Sequence, residues 1–276
     1  MRRKVLWVGL AWAMGACAPP EAPTELNDLS RYMYREWDAA DERTRVAGMA
    51  NLDAFLTTVD IGSDSLDDRT WTLTDLQDED VAHIDRPDRP LENCFGIGMG
   101  YLSRWPASDH AQLQIELDQV PTEPTAEFYT RSVTNVDDAS CFAEQTCDRI
   151  DTTNDMRRKT AVYSVDSTLF KNFVWVPYVD ADGVERDAFY SRSWYDQSWD
   201  GDKGSTTIWQ SYSIDVWMDR GDGTAWRYQT LWNETDLLGF TVSEDVALGS
   251  VQGGTENVFE AGDDAIGTLY HDEPAP

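Results

Sequence analysis

The chain has 276 residues, of which 41% are hydrophobic and 12 are tryptophan, enough apolar material for one large core or two smaller ones. Its formal net charge of −29 argues against nucleic acid and anionic lipid as partners, because both bind cationic surfaces. We interpret the acidic excess as a solvated surface rather than as a cation-binding site.

The first 16 residues have the features of a secretory signal peptide. Three of the first four residues are basic, and residues 5–14 form a short apolar run. Ten residues in a helix cover only about 15 Å, roughly half of the hydrocarbon thickness of a bilayer, so this run is too short for a permanent membrane span. We therefore predict a removable signal peptide over residues 1–16.

The sequence MGAC at residues 14–17 resembles the lipobox of bacterial lipoproteins. Met14 departs from the motif, which most often has leucine there. The resemblance implies that Cys17 is lipidated and becomes the first residue of the mature protein. It also implies the outer membrane, because Ala18 replaces the aspartate that favours retention in the inner membrane. The alternative is an ordinary signal peptide with a chance cysteine at its cleavage site.

Prolines at positions 19, 20 and 23 predict an extended tether over residues 17–24. A single domain is expected over residues 25–270, followed by a tail at residues 271–276. Removal of the signal peptide leaves 19 basic against 51 acidic side chains, a balance of −32. The lipid anchor, rather than electrostatic attraction, would then hold the protein at the membrane.

Residues 24–56 predict two helices, because apolar residues recur at helical spacing. They are Leu26, Leu29, Met33 and Trp37, and then Val46, Met49, Leu52 and Phe55. Asp41 is expected to cap the second helix. Residues 74–81 predict a further short helix, whereas residues 111–117 alternate apolar and polar side chains and predict a strand.

Residues 95–102 predict a strand in which Gly96, Gly98 and Gly100 share one face. Their spacing differs from that of the glycines in dinucleotide-binding and phosphate-binding loops. The simpler interpretation is that another element packs closely against this face.

The clearest architecture lies between residues 160 and 241, where aromatic and β-branched runs alternate with turns. Two turns contain Asp182-Gly183 and Asp222-Gly223, and Asp-Gly supplies the positive φ angles of tight hairpins. The pattern predicts an antiparallel meander of four or five strands. The expected strands are residues 161–169, 170–179, 185–194, 205–218 and 224–232.

Three tryptophans of this meander, Trp209, Trp217 and Trp226, are predicted to form an aromatic sheet face. Such a face could stack on sugar rings or line a pocket for an apolar ligand. The alternative, which we prefer, is an aromatic core covered by the N-terminal helices, because Leu29 and Met33 need an apolar surface to pack against.

An exported protein meets an oxidising compartment, so a disulfide is expected. Cys141 and Cys147 are the closest pair in sequence and are predicted to form it. Cys94, in an apolar segment, is expected to be a buried free cysteine, although the sequence also allows it to pair with either of the others.

Motifs for metal or nucleophilic chemistry are weak. His83, His110 and His271 are far apart in sequence and have no cysteine cluster nearby, so neither a zinc site nor a histidine-dependent triad is predicted. No cofactor is expected. Acidic pairs such as Asp263-Asp264 leave a hydrolase open as an alternative.

The sequence therefore predicts an α+β fold in which N-terminal helices pack on a large antiparallel β-meander, either open or curved into a half-barrel. We expect a lipid-anchored protein of the cell envelope that binds a ligand or a partner without catalysis. The alternatives are an envelope hydrolase that uses carboxylates and a purely structural lipoprotein.

Overall fold

The computed structural model describes residues 21–160, 164–202, 206–237, 240–241 and 244–273. The predicted signal peptide and the predicted lipidation site, Cys17, lie outside these residues. Within them, the chain forms a ten-stranded antiparallel sheet, a separate two-stranded hairpin and five α-helices. The α+β class and the large antiparallel sheet are therefore confirmed. None of the described helices is both long and apolar enough to cross a membrane.

The helices are α1 (Leu26–Arg35), α2 (Glu42–Leu56), α3 (Ala107–Gln114), α4 (Ser140–Ala143) and α5 (Glu244–Tyr270). The strands are β1 (Thr70–Leu73), β2 (Phe95–Ser103), β3 (Ala126–Val133), β4 (Arg149–Lys159), β5 (Ser164–Trp175), β6 (Tyr178–Val179), β7 (Glu185–Arg186), β8 (Ala188–Trp194), β9 (Trp199–Asp200), β10 (Thr206–Asp219), β11 (Ala225–Leu237) and β12 (Phe240–Thr241). The main sheet has the order β1-β2-β11-β10-β8-β5-β4-β3, with β9 beside β10 and β12 beside β11.

The predicted meander is present as β5, β8, β10 and β11, which are successive neighbours in the sheet. Gly183 and Gly223 have φ angles of 79° and 90°, so both Asp-Gly turns use the left-handed region as predicted. The two runs expected at residues 161–179 differ from the structure. One strand, β5, extends to Trp175, and the Asp182-Gly183 turn belongs to the small hairpin β6-β7.

One face of the sheet, here called the helix face, is covered by α1 and α2. Tyr212, Ile214, Val216 and Met218 from β10 lie on it together with Tyr228 and Trp232 from β11. Tyr34 of α1 packs edge-on against Tyr212 and Trp232, at ring-centroid distances of 6.1 and 6.0 Å. Asp41 caps α2 as predicted, because its carboxylate accepts a 3.1 Å hydrogen bond from the amide of Arg43.

Two of the predicted elements are wrong. The alternating segment 111–117 falls on α3 and the turn after it, because Ala107, His110, Ala111 and Gln114 bury a helical stripe. Residues 74–81 form an irregular loop rather than a helix. That loop is held against α1 by the buried carboxylate of Asp80, which accepts hydrogen bonds from Arg31 and Arg35 at 2.8 and 3.1 Å.

The predicted disulfide joins Cys141, within α4, to Cys147, which follows that helix. Cys94 is a buried free cysteine. Burial raises the pKa of the Cys94 thiol to about 12, so this thiol stays protonated at neutral pH.

The glycines of β2 make room for bulky side chains that pack closely over their face, as predicted. Gly96, Gly98 and Gly100 lie opposite Trp232, Thr230 and Tyr228 in the β2–β11 register. A Cβ atom on Gly98 would lie 2.6 Å from the Tyr228 hydroxyl oxygen, a distance at which the tyrosine must move. That hydroxyl also hydrogen-bonds to Ser30 of α1 at 2.8 Å, so the glycine face fixes the position of α1 as well.

We expect Gly98→Ala to lower the free energy of unfolding by about 1–3 kcal/mol, because the added methyl overpacks the Tyr228 hydroxyl. Gly249→Ala is the matched control, because its methyl meets no atom within 4 Å. Alanine is better than glycine in a helix by up to about 1 kcal/mol, so the control should be neutral or stabilising. Urea unfolding measures both, and equal midpoints would contradict the close-packing interpretation.

Candidate functional site

A cavity of about 330 Å³ lies between α5 and the sheet face opposite the helix face, here called the cavity face. The sheet contributes polar side chains from five strands: Arg131, Lys171, Ser193, Ser213, Asp215 and Arg227. Apolar side chains complete the lining: Leu113, Leu169, Leu231, Val251 and Val258. The cavity therefore has both a charged part and an apolar part.

The cavity exists because α5 presents small residues to the sheet. Val251, Thr255, Val258 and Gly262 recur at helical spacing along the lining side of α5, with Gly254 beside them. A Cβ atom on Gly262 would lie 3.2 Å from a terminal nitrogen of Arg227. Larger side chains at these positions would fill the space that now separates the helix from the sheet.

Three contacts hold α5 along β2. Glu256 accepts two hydrogen bonds of 2.7 Å from the guanidinium of Arg69. The buried carboxylate of Asp263 accepts hydrogen bonds from the Ser103 hydroxyl at 2.6 Å and from the Arg104 amide at 3.1 Å. The ring of Phe259, between these two residues, lies 5.1 Å from that of Tyr101. The position of α5 over the cavity is therefore set by contacts that extend from its middle, at Glu256, to Asp263.

Ser103, His110 and Asp263 come together, although no sequence pattern grouped them. The Ser103 hydroxyl lies 2.7 Å from Nε2 of His110 and 2.6 Å from the Asp263 carboxylate. The serine thus stands between the histidine and the acid, whereas a hydrolytic triad needs the histidine in the middle. Burial, with Arg227 nearby, lowers the pKa of His110, so the ring is neutral. The arrangement anchors α5 and does not activate a nucleophile.

Three cations meet on the cavity face around one carboxylate. Lys171 and Arg227 each approach Asp215 at 3.4 Å. The third cation, Arg131, is buried and bonds only to neutral groups among its described partners. These include Asn154 at 2.7 Å and the Tyr129 hydroxyl at 3.2 Å. Desolvation, together with the positive charges of Arg131 and Arg227, lowers the pKa of Lys171 to about 8, although the Asp215 carboxylate raises it.

Aromatic rings support these cations from below. Trp217 stacks on Phe189 at a centroid distance of 4.5 Å. The charged ends of Lys171 and Arg227 lie 5.5 and 5.2 Å from the centre of the Trp217 ring. Arg131 lies 5.1 Å from the Phe173 ring in the same way. Cation–π attraction therefore stabilises charges that the cavity does not neutralise.

The predicted aromatic face of Trp209, Trp217 and Trp226 needs correction, because the structure does not bring these residues together. Trp217 is buried on the cavity face, whereas Trp226 lies opposite Met218 and packs with the helix-face core. Trp209 falls at an irregularity in the β10–β11 register and lies under Arg89, 4.4 Å from its guanidinium carbon. The N-terminal helices accordingly cover the helix face and not the face that carries Trp217.

The sequence analysis did not identify the residues of the cavity. One sequence feature could have indicated them: basic side chains occur at strand positions that point to a buried face, although the chain has only 22 basic residues against 51 acidic ones. Among the described residues, no group of three or more histidines, cysteines or acids is arranged to hold a metal ion.

Neither a protein-family model nor a curated protein matches this sequence. Several solved structures show a low similarity. A protein from Thermus thermophilus is 12% identical, with a TM-score of 0.39 over 63% of this chain and 97% of that one. The Zhui aromatase/cyclase from a Streptomyces species is 10% identical, with a TM-score of 0.38 over 62% and 92%. Human STARD10 is 8% identical, with a TM-score of 0.39 over 75% and 74%. These similarities are too low to bear on the function.

We expect Lys171→Met to remove a pH dependence of stability. The folded protein releases the Lys171 proton near pH 8, while the unfolded chain keeps it up to the ordinary value of 10.5, so the free energy of unfolding rises with pH between these values. Between about pH 7 and pH 10, the wild type should gain on the order of 1–3 kcal/mol relative to the variant. Urea unfolding of both proteins across this range measures the difference. If the free energies of unfolding of the two proteins change with pH in the same way, the pKa of Lys171 is not lowered in the folded protein.

Proposed function

We propose that this protein is a lipid-anchored component of the cell envelope that binds a small ligand in the cavity, without catalysing a reaction on it. The cavity itself supports this proposal. Its volume of about 330 Å³ lies within the range of about 300–1,000 Å³ that small-molecule sites occupy. Polar and charged side chains form most of its lining and apolar side chains form the rest, so the cavity offers both kinds of contact to a ligand. A sheet curved as a half-barrel around α5 would suit this role.

A catalytic role has less support. Ser103, His110 and Asp263 are in the wrong order for nucleophilic catalysis. Asp215 is engaged by Lys171 and Arg227, and the cavity lining offers no second unpaired carboxylate among its described residues. Acid–base hydrolysis of a glycoside requires two carboxyl groups that flank the bond to be cut. Binding without catalysis accounts for the arrangement more simply.

The lipid anchor in this proposal is supported by the resemblance of residues 14–17 to a lipobox. The carbonyls of Ala22 and Pro23 each accept a 2.9 Å hydrogen bond from the side-chain amide of Asn51 in α2. The tether thus joins the domain beside α2, on the side of the helix face. The cavity lies on the other side of the sheet and would be turned away from an anchor at Cys17.

The anchor is tested with Cys17→Ser, which removes the thiol that would carry the lipid. We expect the variant to leave the membrane fraction or to keep its signal peptide, because both lipidation and cleavage would depend on that thiol. Membrane fractionation and intact mass provide the measurement. Cys94→Ser is the control, because this buried thiol has no part in anchoring. If Cys17→Ser fractionates with membranes like the wild type, the anchor is absent.

The cavity is tested with Prodan, an uncharged dye whose emission shifts in an apolar site. Gly254 lines the cavity and Gly253 does not, so Gly254→Leu should fill the space while Gly253→Leu should leave it open. We expect Gly254→Leu to weaken saturable binding at least about tenfold, equivalent to about 1.4 kcal/mol. Equal binding by both variants, or no saturable binding by the wild type, would contradict the proposed function.

A further inference from the structure

From the charges of the cavity we infer the class of ligand, and this inference rests on the proposed function. We propose that the ligand is a small amphiphilic oxyanion, whose carboxylate or phosphate group binds Arg131, Lys171 and Arg227 while its apolar body occupies the rest of the cavity. These cations come from β3, β5 and β11, which are distant in sequence and are brought together by the sheet.

The three cations are largely removed from solvent, so their charges must be compensated within the cavity. Arg131 and Arg227 are 2% and 3% exposed, and the side chain of Lys171 is 13% exposed. A buried charge costs free energy unless it is paired with an opposite charge and hydrogen-bonded. Basic residues on the surface would need no explanation, but three buried cations in so acidic a chain need a compensating group.

The protein itself supplies only part of that compensation. Asp215 is shared by Lys171 and Arg227, and both distances are 3.4 Å, longer than the roughly 2.7–2.9 Å that is typical of a strong charged hydrogen bond. Nε of Arg227 is buried and has no hydrogen-bond partner among the described residues. Glu123 also lines the cavity, but it pairs with Arg158 at 3.0 Å. One additional oxyanion would balance the site better than any group now present.

The buried guanidinium of Arg69 is bonded to Glu256 at 2.7 Å. The buried guanidinium of Arg192 lies outside the cavity lining; it reaches Asp38 at 3.1 Å, and its Nε has no hydrogen-bond partner among the described residues. What distinguishes the cavity is that three cations lie around the single carboxylate of Asp215. The aromatic rings below the cations also leave their charge available, because cation–π attraction does not neutralise it.

The apolar part of the lining selects for an amphiphile over a bare ion. Leu169 and Leu231 lie on the sheet side, and Val251 and Val258 lie on α5. A free inorganic anion would leave these walls in contact with water, whereas a short apolar chain attached to the anion would cover them.

The test is calorimetric titration near neutral pH with four ligands of equal chain length: octanoate, octyl phosphate, 1-octanol and octylammonium. We expect at least one of the two anions to bind about tenfold or more tightly than the alcohol, and octylammonium to bind most weakly. Equal binding of the anions and the alcohol would overturn the oxyanion proposal but leave the proposed function standing. Failure of all four ligands to bind would count against both.

Two variants identify the site. Lys171→Met should weaken anion binding about tenfold or more and change octanol binding little. Lys159→Met is its control, because Lys159 is exposed on β4 and pairs with Glu127 outside the cavity. Gln229→Glu adds a carboxylate to the lining with almost no change in shape, and it should compete with the bound anion in the same way. Unchanged anion affinity in both Lys171→Met and Gln229→Glu would overturn the proposal, and circular dichroism would verify that each variant is folded.

Discussion

The alternation of side chains along β10 and β11 is the constraint on which the rest of the structure depends. Successive residues of a strand point to opposite faces, so one run of sequence must serve two environments. Tyr212, Ile214 and Val216 lie on the helix face, while Asp215 and Trp217 lie on the cavity face. Because both faces are covered, contact with solvent does not explain the polar side chains on either face. The polar groups of the cavity face are explained instead by the proposed binding role.

Burying these charged groups lowers the stability of the fold. Holding Arg131 and Lys171 away from water opposes folding, and the lowered pKa of Lys171 is the direct sign of it. The helix-face core and the attachment of α5 by Glu256 and Asp263 offset this cost. A protein selected for stability alone would replace the buried cations with apolar side chains, because such replacements are often neutral or stabilising. Their presence is what a binding role would require.

The sequence predicted the elements whose local pattern agrees with their environment, namely the two N-terminal helices, the meander, the Asp-Gly turns and the disulfide.

The predictions failed where tertiary contacts overrode the local pattern. The helix α5 was missed because five of its 27 residues are glycine, which disfavours helices, although apolar residues recur in it at helical spacing. The strand β4 was missed because its sequence is mostly polar and charged. Trp209 was placed on the wrong face because a register irregularity interrupts the alternation at that point. The cavity depends on α5 and β3, neither of which was predicted, so the basic residues at inward strand positions could not be combined into one site.

The hydrogen bonds from Asn51 to Ala22 and Pro23 limit how far an anchored domain could travel. Ala22 follows Cys17 by only five positions, and a fully extended chain of that length reaches at most about 18 Å. If Cys17 carries the lipid, the tether keeps the domain close to one membrane, and the domain cannot carry a ligand from one membrane to another. A ligand of the cavity must then reach it by diffusion or be transferred from another protein at the same membrane surface.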